Sequence, residues 1–102
     1  MTIQYFHGTD KFYDKLLPKG VYVSKSKSNV VYFAQRRGQQ DRFIYTVLMD
    51  PAKDDLEQRV DPAGTVDHVL AKDIPFVKRE PLTDQLIAEC KAARAAEVDD
   101  LL

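Results

Sequence analysis

His7-Gly8-Thr9 closes the first apolar run, Ile3-Gln4-Tyr5-Phe6, and joins an imidazole to a residue with no side chain. That pairing suits a site where something approaches the backbone closely while a ring nitrogen exchanges a hydrogen bond. Three features belong beside it: Tyr22 after Gly20, Tyr32 ten residues on, and Asp67-His68 late in the chain. Each also has a plain structural reading. His7 fits a satisfied surface histidine, the tyrosines fit core rings with hydroxyls at the rim, and Asp67 fits a turn carboxylate. Other chemistries find less support. Ser24, Ser26 and Ser28 lack the flanking glycines of a nucleophile elbow and read as caps or loop residues. Cys90 falls on the apolar stripe of a helical stretch, which suits a buried structural thiol. Glycines 8, 20, 38 and 64 stand singly and build no phosphate loop. Two histidines and one cysteine are too few for structural zinc, and no metal is expected.

These residues need elements to hold them. Residues 2–7 read as a strand. Asp10 to Leu17 predicts two turns of helix capped by Thr9 or Asp10, with Phe12, Leu16 and Leu17 on one side. Pro18-Lys19-Gly20 turns the chain into the short β-rich run Val21-Tyr22-Val23. Asn29 to Arg37 predicts an amphipathic helix stopped by Gly38, with Val30, Tyr32, Phe33 and Ala34 buried. Phe43 to Met49 is the strongest strand, apolar on both faces and therefore central. Residues 51–64 read as a charged, irregular connection with one helical turn near Asp55-Leu56-Glu57. Thr65 to Ala71 reads as a strand, and Ile74 to Lys78 as another or its continuation. Thr83 or Asp84 caps a last helix running towards Glu97, with Leu86, Ile87, Cys90 and Ala93 as its stripe. The connections are too short to make the strands parallel, so a mixed α+β domain is expected. It divides into sheet and pocket over 1–81, a C-terminal helix over 82–98, and a frayed tail over 99–102.

The chain has 102 residues, enough for one domain. With 44% hydrophobic and 30% charged residues, it has an ordinary globular composition. A net charge of -1 gives no bulk electrostatic drive toward nucleic acid. The local group Lys25, Lys27, Arg36 and Arg37 reads as a solvated face, with a phosphate-bearing acceptor as the alternative. No apolar run spans a membrane, and Met1-Thr2-Ile3-Gln4 lacks the blocks of a signal peptide. A single cysteine fits a reducing compartment, so a cytoplasmic location is expected.

The order of these motifs adds a further reading. Phe6-His7-Gly8-Thr9, then Leu16-Leu17-Pro18-Lys19-Gly20-Val21-Tyr22-Val23-Ser24, then Ser26-Lys27-Ser28-Asn29-Val30-Val31-Tyr32-Phe33-Ala34, resembles the ADP-ribosyltransferase superfamily. It is most similar to the His–Tyr–acid branch, which includes the poly-ADP-ribose polymerases and small bacterial and phage transferases. Asp67-His68-Val69-Leu70-Ala71-Lys72-Asp73-Ile74 resembles that branch's last motif, with aspartate where the polymerases carry glutamate. The resemblance covers Ile3 to Val77. It implies a compact domain with a split, strongly bent antiparallel or mixed sheet and short flanking helices. It implies NAD as co-substrate, mono-ADP-ribosyl transfer to an unknown acceptor (protein, nucleic acid or small molecule), and no metal. By the same resemblance His7 would bond a ribose hydroxyl, and Gly8 would offer its backbone to the nicotinamide carboxamide. Thr9 would complete that motif, and Tyr22 and Tyr32 would sandwich the nicotinamide ring. Ser26 or Ser28 would reach the carboxamide. Asp67 would hold the nicotinamide ribose and stabilise the charge developing as nicotinamide leaves. Asp54 and Asp55 are alternatives for the acid, resembling its place in small antibiotic-modifying transferases. Two other readings stay open: a degenerate member that binds NAD, ADP-ribose or a protein without chemistry, and an interaction module built on the C-terminal helix.

Overall fold

A computed structural model describes residues 2–36, 43–50, 55–60, 62–64 and 66–101. The elements are β1 (Ile3–Thr9), β2 (Leu16–Leu17), β3 (Tyr22–Val23), α1 (Lys27–Arg36), β4 (Phe43–Met49), β5 (Leu56–Val60), β6 (Val66–Leu70), β7 (Ile74–Pro75), β8 (Lys78–Pro81) and α2 (Asp84–Leu101). Among the described residues every strand pair is antiparallel, in three pieces: β1-β4-β8, β2-β7 and β3-β6-β5. The fold is thus a small α+β domain.

The apolar run of β4 takes the central place its composition predicts, between β1 and β8. Its two faces feed separate cores. Tyr45, Val47 and Met49 join Tyr5 of β1, and onto them pack Leu17, Val23, Leu70 and Ile74 from the smaller sheets. On the other face Ile44 and Phe6 meet Val31 and Ala34 of α1 and Leu86 and Cys90 of α2. Burying such a side chain fully gains about 1.5–3 kcal/mol, so a strand filled on both sides anchors the domain. Pro18-Lys19-Gly20 turns as expected; Gly20 has φ of 91°, which only glycine adopts without strain, and its N–H reaches the Leu70 carbonyl at 2.8 Å.

Several expectations are corrected. Asp10 to Leu17 forms no helix. Thr9 Oγ1 takes the Lys11 N–H at 3.1 Å, a local turn that competes with a helix cap. Beyond it the Tyr45 hydroxyl accepts the Tyr13 N–H at 2.8 Å and donates to the Lys11 carbonyl at 3.0 Å, while Arg79 Nη1 donates to the Tyr13 carbonyl at 2.8 Å. These long-range partners satisfy the backbone that a helix would otherwise pair, and Leu16-Leu17 becomes β2. Helix α1 starts two residues earlier than expected, because Ser26 rather than a later serine caps it, its Oγ taking the Asn29 N–H at 3.3 Å. The buried face of α1, set by packing against Phe6, Ile44, Leu86 and Cys90, is Val31 and Ala34, and Phe33 is exposed. The helical turn expected at Asp55-Leu56-Glu57 is instead the start of β5, an edge strand held by pairing to β6. Ile74 to Lys78 divides between β7 and β8. Thr83 caps α2, its Oγ1 taking the Leu86 N–H at 3.1 Å, and α2 continues through Asp99 to Leu101 rather than fraying after 98. Ala93, expected on the apolar stripe of α2, is exposed. Gly38, Arg37 and Asp54 lie outside the described residues.

Candidate active site

The join between β1 and β3 explains why a cleft forms. Phe6 and Ser24 exchange both backbone hydrogen bonds, at 2.7 and 2.9 Å. Peptide edges alternate along an extended strand, so Gly8 turns its N–H and C=O to the same side as Phe6, toward Tyr22. A continuing ladder would pair Gly8 with Tyr22. Among the described residues, however, Phe6–Ser24 is the isolated bridge that joins the two strands. The Tyr22 carbonyl instead takes a hydrogen bond from His7 Nδ1 at 2.6 Å. A carbonyl only accepts, so Nδ1 carries the proton, and in the neutral ring Nε2 becomes an acceptor. The sheet therefore splits at His7-Gly8, and the peptide edge of Gly8 faces the gap.

That gap is a cleft of about 470 Å³. His7 and Gly8 from the end of β1, Tyr22 from β3 and Asp67 from β6 all line it. The register places Tyr22 opposite Val69 and Val23 opposite His68. Asp67, two residues before Val69, thus shares a face with Tyr22 as its diagonal neighbour, a spacing of roughly 7–8 Å in an antiparallel pair. Arg59 of β5 stands directly across from Asp67 on the other side. The remaining wall is α1, whose Val30 and Ala34 approach β1 so closely that a Cβ on Gly8 would sit 3.1 Å from Val30 Cγ1 and 3.4 Å from Ala34 Cβ. Helix packing alone disfavours a side chain at position 8, quite apart from any ligand.

The other residues expected at the site lie elsewhere. Thr9 is buried at the end of β1, its hydroxyl closing the turn to Lys11. Ser26 caps α1 and meets the buried Ser28 hydroxyl at 3.1 Å. Tyr32 points to α2, with the Arg94 guanidinium stacked 3.6 Å from its ring centre. None of the four lines the cleft. Asp55, the alternative acid, pairs with Lys72 at 2.8 Å and also lies outside it. In place of Tyr32, α1 presents Phe33 and Asn29, and Ser24 lines the cleft just after β3. The sequence carried a signal for the first two. In a helix that includes both, Asn29 and Phe33 fall one turn apart beside Val30 and Ala34. Lys27, from the basic group, is paired with Glu80 at 3.0 Å.

A thiol site is disfavoured. Burial pushes the Cys90 thiol up, Lys27 opposes the shift, and Glu80 and Glu89 reinforce it. Among the described residues no group of three or more histidines, cysteines or carboxylates could hold a metal, and no helix is long and apolar enough to cross a membrane. Comparison of the chain with family models, with curated proteins and with solved structures finds no match.

Proposed function

We propose that the chain is a mono-ADP-ribosyltransferase with an ADP-ribosyltransferase-like fold, cleaving NAD at the nicotinamide–ribose bond and transferring ADP-ribose to an acceptor. One observation carries this reading: His7, Tyr22, Asp67 and the open peptide edge of Gly8 converge on one cleft. Its volume of about 470 Å³ falls within the range of small-molecule sites. Gly8 N–H and C=O match the acceptor and donor of a carboxamide. His7 Nε2, its ring steered by the bond to Tyr22, accepts from a ribose hydroxyl. Tyr22, 56% exposed in the cleft, offers an aromatic face to the nicotinamide ring.

As the ribose C1′–N bond breaks, its electron pair leaves with nicotinamide and positive charge grows on the ribose. The Asp67 carboxylate stabilises that charge more than it stabilises bound NAD, which is the condition for catalysis. An acceptor oxygen or nitrogen then bonds C1′ and releases its proton. Water as acceptor gives free ADP-ribose.

The test is calorimetric titration with NAD, together with nicotinamide release from labelled NAD. Binding and release are expected. No binding at millimolar NAD would sink the reading. Binding with no release over hours favours a degenerate module of the same fold. The interaction reading of the C-terminal helix finds less support, since Leu86 and Cys90 are buried against Phe6, Val31 and Ile44 and Ile87 is half-buried beside them.

A further inference from the structure

We infer that Phe33 and Asn29 of α1, rather than Tyr32 and the serines, form the second wall of the cleft and hold the ring and carboxamide of NAD. This rests on the proposed function and names the residues that would select its substrate.

The inference begins with helix geometry. Asn29 and Phe33 are one turn apart and share a face. Val30 and Ala34, one position further, form the floor against Gly8. The rim residues are therefore positioned relative to β1 by the close packing of Val30 and Ala34 on Gly8. Phe33 is 56% exposed, the same fraction as Tyr22, and both line the cleft from different elements. Two exposed aromatic rings on separate walls of one cleft suit a flat ring entering between them. In NAD that ring is a cationic pyridinium, which aromatic faces attract. Asn29 adds an amide with one acceptor and two donors, the complement of a carboxamide. Its backbone N–H already serves the Ser26 cap, which fixes the position of the residue. Tyr32 cannot take this part from its present place, because Arg94 stacks on its ring.

The probes are NAD and its analogue with a carboxylate replacing the carboxamide, titrated against the full chain. Phe33→Ala is expected to weaken NAD binding on the order of three- to tenfold, and Phe33→Tyr to stay within about twofold. Phe33 is exposed, so its substitution should leave the fold intact. Tyr32→Phe should bind NAD as the parent does. Asn29→Ala should reduce the preference for NAD over the carboxylate analogue by roughly fivefold. If the parent chain binds NAD while Phe33→Ala binds equally well, the aromatic wall is refuted and the proposed function survives. An unchanged carboxamide preference in Asn29→Ala refutes the amide contact in the same way. If the parent binds no NAD, the proposed function fails first.

Discussion

Asp67 and His7 reach the same cleft with different attachments, and the difference sets what their substitution should do. Asp67 stands on β6 with its backbone paired to Arg59 of β5, one residue beyond the pairing of β6 with β3. Asp67→Asn keeps the shape and removes the charge. It should lower nicotinamide release on the order of 10²–10³-fold, with the NAD dissociation constant changed only a few-fold. Equal losses in binding and turnover would make Asp67 a ground-state contact instead. His7 also holds the split of the sheet, through its bond to the Tyr22 carbonyl. His7→Ala should therefore cost stability, by about 0.5–1.5 kcal/mol for the lost hydrogen bond, as well as NAD affinity. Urea unfolding beside calorimetry separates the two effects. A variant with normal stability and no NAD binding would show that the Tyr22 bond carries little weight.

Among the elements, the placement of α1 on β1 controls the width of the cleft, and Gly8 sets it. Gly8→Ala would put a methyl 3.1 Å from Val30 Cγ1 and 3.4 Å from Ile44 Cδ1, overpacking by about 1–3 kcal/mol. Val30→Ala alone should also destabilise, yet the double variant should recover much of the Gly8→Ala loss, since the new methyl fills the vacated space. Additive losses in a double-mutant cycle would argue that backbone strain, not side-chain contact, excludes alanine. The same element shows what the sequence makes legible. β4 could be read because its apolar residues fill both faces and no distant partner was needed to explain them. His7, Tyr22 and Asp67 stand out because their order resembles a known pattern, and the three line one cleft. The start and buried face of α1 could not be read, since three serines compete to cap it and the face is set by packing on β1 and α2, which leaves Phe33 exposed. Nor could β5, whose Glu57, Gln58 and Arg59 are exposed and whose strand conformation comes from β6. Residues 10–15 carry helix-compatible spacing, but their structure is set by the Tyr45 hydroxyl and Arg79, 32 to 66 residues away.

Across the whole molecule, β1 and β4 contribute to both cores, and each core holds a group whose ionisation burial disfavours. Tyr5 lies in the core facing the small sheets, and Cys90 in the core facing the helices. Burial raises the pKa of both. For an acid that is neutral when protonated, a raised folded-state value means the native chain keeps a proton that the unfolded chain releases. Below about pH 8.5 thiol and phenol are protonated in both states and stability is insensitive to them. As pH rises through about 8.5, the unfolded thiol ionises while the folded one does not, and stability falls. Near pH 10 the unfolded phenol adds a second decline. Each decline ends once pH passes the folded-state value of its group. Urea midpoints measured from pH 7 to 10.5 should therefore be level and then drop in two stages. Cys90→Ala should lower the whole curve through its cavity but flatten the first stage, and Tyr5→Phe should flatten the second. The thiol should also react with an aromatic disulfide at neutral pH only as fast as the helix-side core opens. A first decline that persists unchanged in Cys90→Ala would show that the thiol is not its source, and rapid labelling of the native chain would mean that α2 opens independently of β4.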